Sequence, residues 1–446
     1  MSLADAFRAA LPEGRWVDDP EVLASVSRDA APTVPAGTPL GLVRARGVDD
    51  VVAVLRTASA HRVPVVPRGA GSGLAGGANA VDGCVVLSLA AMDRVLEVDP
   101  PTRTARAEPG VVTDDLARAA AAHGLWYPPD PASRAWSTVG GNVATNAGGG
   151  CCLKHGVTAD WVAGLTAVLA DGTVVRTGGR TRKDVVGYDL TRLLVGSEGT
   201  LAVVVEVLVR LRPPPGPAST LVASFGSLAD AGPALVELVA RTTPSLCELL
   251  DRTTVRAVDD ATRMGLDRDA GGLLLVQYDD ADAPAQAAAA AALCAGAELH
   301  VTDDADEGQA LLAARRAAYP SLQRLGTTLL DDVCVPVPQV PALVAAVEEV
   351  AARTGLVIGT FGHAGDGNLH PTVVVGAGQE EAAQDAFGAL LDAALALGGT
   401  MSGEHGVGLL KAPYLSRQLG PAERALMHRV KAAFDPAGVL NPGKGL

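Results

Sequence analysis

Three histidines and a glutamate stand where their spacing could do chemistry. The run GHAGDGNLH sets His363 and His370 on either side of residues 364–368, a turn rich in Gly and Asp inside an expected hairpin, so two imidazoles can face one point. Either histidine alone is more often a satisfied structural residue. Together with Glu404 of SGEHGVG they make two imidazoles and one carboxylate. That is the ligand count of an open catalytic zinc or manganese site, which keeps positions for substrate oxygens. His405 adjoins Glu404, so its side chain can point elsewhere and act as a base; the bland alternative is a Gly-bracketed loop histidine with no role. Arg315 lies in the helical run ALLAARRAAYPSL, where the ordinary fate of an arginine is a solvated charge.

A second set of signals is rich in glycine. Residues 64–77 read PVVPRGAGSGLAGG, and Gly71, Gly73 and Gly76 satisfy GxGxxG by letter. A nicotinamide-binding Rossmann turn must open a helix, whereas Gly77, Asn79, Asp82-Gly83 and an apolar run follow here, so that fold is rejected. Successive unobstructed N–H groups can instead form a nest around a pyrophosphate; a plain connection between strands is the alternative. The patches STVGGNVATNAG from Ser137 and VGSEGTLAVVVEV from Val195 repeat the density of small and polar residues. Three such patches in one domain make a single extended nucleotide site the better account.

The segments PRGAGSGLAGG, STVGGNVATNAGG, KDVVGYDLTRLLVGSEGTL, GHAGDGNLH, SGEHGVG and NPGK, in this order, resemble the FAD-linked 2-hydroxy-acid dehydrogenases. That family holds glycolate oxidase catalytic subunits, D-lactate dehydrogenases and D-2-hydroxyglutarate dehydrogenases, within the vanillyl-alcohol-oxidase-like flavoproteins. The resemblance implies an α+β protein with a two-subdomain FAD-binding domain over 1–212. An α+β cap domain with an antiparallel sheet is expected over 219–400, and a segment 401–446 that returns to the FAD domain and active site. It further implies FAD held by Pro67, Arg68, Gly69, Ala70, Gly71, Ser72, Gly73 and Leu74, by Ser137, Thr138, Gly140, Gly141, Asn142 and Thr145, and by Glu198, Gly199, Ala202, Val204 and Asn441. Some superfamily members bond FAD to a His in the glycine loop; this loop has none, so a noncovalent flavin is expected. His363, His370 and Glu404 match the family's divalent-metal ligands. Arg315, which matches its carboxylate clamp, Asn368 and His405, which matches its base, are the implied catalytic residues. Ala202, Val205 and Leu312 stand where the family usually has Gly, Thr and Trp. Leu330 replaces the Lys of hydroxyglutarate dehydrogenases, which disfavours a substrate with a second carboxylate. Lys411 is a further candidate anion contact, or only a helix cap.

The implied reaction is oxidation of a D-2-hydroxy acid of the lactate or glycolate type to its 2-oxo acid. A larger acid such as D-2-hydroxyglutarate, a noncatalytic flavin-binding subunit, and a flavin-independent metallohydrolase are the rivals. No haem, iron–sulfur or quinone motif is visible, so the electrons must leave to a partner protein, a quinone or another carrier. A homodimer or a larger oxidase complex fits equally.

These residues need elements to hold them. Up to about Leu211, Val-rich runs alternate with Gly-rich turns and two Ala-rich helical stretches, 50–61 and 112–123. Asp49 and Asp50 suit the N-cap of the first. Asp82-Gly83 and Asp171-Gly172 adjoin apolar runs and read as hairpins or strand corners. The stretch PPPGP after Arg212 is stiff and extended, and marks a boundary. Beyond it come strands TLVASF and GLLLVQY, helices at 228–241, 283–296, 306–318 and 340–354, a hairpin at 355–376 and a helix at 380–397.

The 446 residues, 48% hydrophobic and 19% charged, suit a prior of two to four ordinary globular domains. A net charge of -14 argues against affinity for nucleic-acid phosphates. With 3% aromatics and 51 Gly, ligand sites lined by backbone are natural. The six cysteines show no CxxC spacing and read as reduced. The opening MSLADAFRAALPEG lacks a basic start before an apolar stretch, and no run is long enough to span a bilayer. A cytoplasmic location is therefore expected, compatible with peripheral membrane association through a partner.

Overall fold

A computed structural model describes residues 2–446, which divide into two compact units. The first takes the chain up to Gly148, then Val157–Pro214 and Glu404–Leu446. The second takes Gly149–Gly156 and Pro215–Gly403.

In the first unit, strands Gly41–Arg44, Val85–Ser88 and Val65–Arg68 pair in parallel in that order, with Trp16–Val17 antiparallel on the edge. The run Val65–Arg68 reaches its neighbour Val85–Ser88 through a loop without a helix, as the rejection of a Rossmann turn requires. Asp82-Gly83 is accordingly a corner that enters a parallel strand, while Asp171-Gly172 joins the antiparallel pair Val162–Val168 and Val174–Gly178. That pair belongs to a five-stranded sheet with Val95–Asp99, Thr104–Ala107 and Val203–Arg210. Along Val203–Arg210 every second residue is buried, which turns Val203 and Val205 toward the core.

Helix Val48–His61 buries Val51, Val54, Leu55 and Ala58, the i, i+3, i+4, i+7 stripe of one helix face. They pack with Val65, Val85 and Leu87 of one sheet and Val168, Val203 and Val205 of the other, so a single apolar cluster ties both sheets. Each such Val or Leu contributes about 1.5–3 kcal/mol on burial. The N-cap is Gly47 and not Asp49 or Asp50. Asp50 is drawn inward, where it accepts from Arg46 N–H and Arg15 Nε, each at 2.8 Å. Within the patch of small and polar residues that begins at Ser137, residues 139–145 form a helix capped by Thr138.

The second unit is built on an antiparallel sheet. Its strands run Glu298–Thr302, Ser219–Phe225, Gly272–Tyr278, Leu246–Asp251, Val357–His363, Asn368–Val375 and Thr327–Leu330, with Val333–Cys334 also on Asn368–Val375. Strand Leu246–Asp251 and the helix after it, Arg252–Thr262, were not read from the sequence. Helices Leu228–Arg241, Val340–Thr354 and Glu380–Ala396 lie close to the expected ranges. All six cysteines are free thiols. Among the described residues no helix is long and apolar enough to cross a membrane.

The hairpin that carries both histidines turns on Gly367. Its φ is +87°, and a Cβ there would fall onto the carbonyl oxygen of Val335. Gly378 has a similar φ of +78° with nothing within 4 Å of a Cβ. Gly367→Ala is therefore expected to cost well above the ~1 kcal/mol of a strained but roomy site, and Gly378→Ala only about that much. Urea unfolding of both variants checks the order; equal losses would mean that the Val335 contact imposes nothing.

Candidate active site

In the first unit the glycine loop follows strand Val65–Arg68 and approaches the start of helix Val139–Thr145. A side chain at Gly69 would strike Thr138 Oγ1, and one at Gly71 would strike the guanidinium of Arg68. Only bare backbone fits between these groups, as a loop that wraps phosphate oxygens requires. Arg68 Nη1 is buried without a hydrogen-bond partner, and so is Asp29 Oδ2. Burial pulls the Arg68 pKa down against the opposing charge of Asp29, and burial pushes the Asp29 carboxyl up. A buried, unspent N–H of Arg68 beside a glycine cradle fits an FAD pyrophosphate.

The other expected FAD residues gather in the same unit. Ser137 Oγ lies 3.3 Å from Thr113 Oγ1, and Asn142 Nδ2 donates to that hydroxyl at 2.7 Å, so both brace the second patch internally. Thr145 Oγ1 donates to the Gly141 carbonyl at 3.4 Å. Gly199 packs against Pro67, Ala202 is buried, and Val204 pairs with Ala167 across the sheet. Asn441 Nδ2 donates to the carbonyls of Gly77 at 3.0 Å and Glu198 at 2.6 Å, and Lys444 Nζ donates to Asn441 Oδ1 at 2.8 Å. Burial lowers the Lys444 pKa to about 8, outweighing the nearby Cys84, Asp29 and Glu198, which raise it.

Glu198, expected beside the nucleotide, also binds backbone of its own unit. Its two carboxylate oxygens accept the N–H groups of Val407 and Gly408, each at 2.8 Å, and so grip the loop that bears Glu404 and His405. Burial pushes its pKa up while those two N–H groups pull it down, and burial wins. His405 Nε2 lies 3.5 Å from Glu404 Oε1. Lys411, fully buried, donates its backbone N–H to the Val407 carbonyl.

In the second unit, antiparallel register assembles a polar face. Leu249 stands opposite Gly362 and Leu250 opposite Phe361, which puts Glu248 on the rung of His363. Phe361 stands opposite His370 and His363 opposite Asn368. Side chains on paired and alternate positions share a face, so Glu248, Phe361, His363, Asn368 and His370 project together. Arg315, at the end of helix Ala305–Arg316, meets them there.

Glu248, only 1% exposed, is the hub of this face. One of its oxygens lies 2.6 Å from His363 Nδ1, and the other takes the Nε of Arg315 in a close ion pair. The Arg315 guanidinium also lies over the Phe361 ring, 4.8 Å from its centroid. Burial would raise the Glu248 pKa, but Arg315 and His363 outweigh it and hold the carboxyl below its usual range. The rings of His363 and His370 meet edge to face with centroids 5.4 Å apart. His370 Nδ1 lies 3.7 Å from Asp332 Oδ1. Asp332 accepts from Asn368 Nδ2 at 2.8 Å, and from Ser402 Oγ and Gly403 N, each at 3.0 Å. Asn368 Nδ2 also reaches the Val333 carbonyl at 3.1 Å, so this amide positions the acid.

Glu248 and Asp332 are the functional candidates that sequence reasoning missed. The one available signal for Glu248 was an acid inside the apolar run LCELLD. The histidines and acids are of the types that hold a divalent cation, and with His363 Nδ1 engaged by Glu248 only the Nε2 of that ring would be open to one.

Comparison with known proteins identifies the family. Residues 39–178 match the FAD binding domain family, and residues 215–445 match the C-terminal domain of FAD linked oxidases. The glycolate oxidase subunit GlcD of Bacillus subtilis is 42% identical over 363 residues, covering 79% of this chain and 77% of the relative. A D-lactate dehydrogenase of Anaerostipes hadrus is 32% identical and covers 99% of this chain and 96% of its own. Among solved structures, p-cresol methylhydroxylase with substrate bound superposes with a TM-score of 0.83 at 17% identity, over 99% of this chain and 96% of that one, a likeness of fold. The chain belongs to the FAD-linked oxidases, as an oxidoreductase whose FAD-binding fold is of the vanillyl-alcohol oxidase type.

Proposed function

We propose that the protein oxidises a D-2-hydroxy acid of the lactate or glycolate type to the 2-oxo acid, with FAD held noncovalently. The observation that carries this reading is the Glu248 carboxylate, which fixes Arg315 on one oxygen and His363 on the other. The relatives named glycolate oxidase subunit and D-lactate dehydrogenase support the substrate class. Leu330, apolar and buried on strand Thr327–Leu330, supports a short acid over one with a distal carboxylate.

FAD, when bound, supplies the two-electron acceptor for the hydride that leaves the substrate Cα. The chain supplies the rest. Arg315 binds and orients the carboxylate, for which a planar guanidinium is suited. His405 takes the hydroxyl proton on its imidazole as the carbonyl forms. Asn368 acts through Asp332 to order the polar face. We assign a divalent ion, zinc or manganese, to His363, His370 and Glu404, where it would polarise substrate oxygens. Arg68 and the backbone of residues 69–74 hold the pyrophosphate in this reading, and the electrons pass on to a partner protein, a quinone or another carrier.

The test is the visible spectrum of the purified protein before and after anaerobic addition of D-lactate, glycolate or D-2-hydroxyglutarate. Flavin bands that bleach with D-lactate or glycolate are expected. Faster bleaching by D-2-hydroxyglutarate would move the substrate to a larger acid, and a colourless protein that FAD cannot reconstitute would sink the reading. His405→Asn is expected to slow flavin reduction by about 10²–10⁴-fold with its spectrum intact; an unchanged rate removes His405 as base. Arg68→Met should lower the FAD retained through gel filtration at unchanged far-UV dichroism, and full retention would refute the pyrophosphate assignment.

A further inference from the structure

The second unit holds a buried carboxylate that no step above uses directly. Glu248 stands on the rung of His363, faces two donors at once, and is itself 1% exposed. The His363 Nδ1 contact at 2.6 Å is a hydrogen bond only if a proton lies between the two atoms. Arg315 already balances the Glu248 charge, so a neutral imidazole completes a neutral cluster, and its one ring proton must then be on Nδ1.

We propose that Glu248 is a positioning residue that selects the His363 tautomer, keeping the proton on Nδ1 and the lone pair on Nε2, while it also aims Arg315. The inference rests on the proposed metal and substrate roles of His363 and Arg315. One carboxylate thereby prepares a metal-binding nitrogen and a carboxylate-binding cation together. Without it, Nδ1 loses the carboxylate that holds its proton, and the guanidinium keeps its stacking on Phe361 but loses its ion pair.

Glu248→Gln tests this with little change of shape. An amide has one acceptor oxygen. Arg315 can only donate, so that oxygen must turn to Arg315 and the amide N–H₂ must face His363 Nδ1. Nδ1 then has to accept, the ring proton moves to Nε2, and the lone pair needed for a cation is lost. The first readout is the ¹⁵N NMR pattern of His363 in the metal-free, flavin-loaded protein, assigned with His363→Asn. The parent should show the Nδ1–H tautomer and the variant the Nε2–H tautomer. The second is Zn²⁺ affinity by chelator competition, where the variant should bind roughly 10–100-fold more weakly. The third is steady-state kinetics with D-lactate, with a raised KM as the mark of a loosened Arg315.

Glu248→Gln added to His363→Asn should weaken Zn²⁺ no further, since its effect on the metal runs through that ring. A parent with the Nε2–H tautomer, or a variant with no tautomer change, overturns the inference whether or not metal binds. A parent that shows the Nδ1–H tautomer and the switch but takes up no Zn²⁺ upholds the tautomer control and removes the metal from the proposed function instead.

Discussion

Placing the Glu248 carboxylate on a central strand costs on the order of several kcal/mol of lost hydration, which only close countercharge and hydrogen bonds can offset. That requirement organises the second unit. Strand Leu246–Asp251 must sit beside Val357–His363 in one register, because a slip by one residue would turn the acid to the other face and leave His363 without it. The helix Ala305–Arg316 must end where Arg315 can reach the same acid. The tight hairpin on Gly367 then returns the chain so that His370 faces Phe361. A polar face of this kind tolerates little rearrangement, since every partial loss strands a charge.

The first unit solves a related problem with alternating charges under a glycine loop. Asp29, Arg68, Glu198 and Lys444 are all withdrawn from water to a large degree, and burial shifts each toward its neutral form. Two acids and two bases leave the group balanced overall. Backbone N–H groups of Val407 and Gly408 carry part of the load on Glu198. The unspent hydrogen-bonding capacity among the four is on Arg68 and Asp29.

Much of this was legible in the linear chain, and the reasons differ by element. Helix Val48–His61 announces itself through its apolar stripe, and the glycine loop shows that it opens no helix because Asn79 and Asp82-Gly83 interrupt any 3.6-residue period. The ordered motifs identified the family and the FAD fold, because glycine and small polar residues at a backbone-lined site leave few substitutes. Glu248 was not legible. Its meaning depends on which residue lies across the sheet, and LCELLD by itself does not name its neighbour. The N-cap at Gly47 was missed because Asp50 suits a cap by type, while its actual partner, Arg15, lies far off in sequence. Asn368 was singled out, yet its hydrogen bond to Asp332 is a tertiary contact that spacing does not carry.

The first unit is discontinuous: Glu198 holds Val407 and Gly408, and Asn441 holds Gly77, contacts spanning 209 to 364 residues. During synthesis the segment Glu404–Leu446 emerges only after the whole of the second unit. The glycine loop and Glu198 must therefore wait, with their buried charges still hydrated, while about half of the chain is made and folds in between. Such long closures are slow to form. Biogenesis of this oxidase thus has a built-in order, in which the nucleotide cradle is completed late and free FAD is best placed to stabilise it by mass action as the C-terminal segment docks.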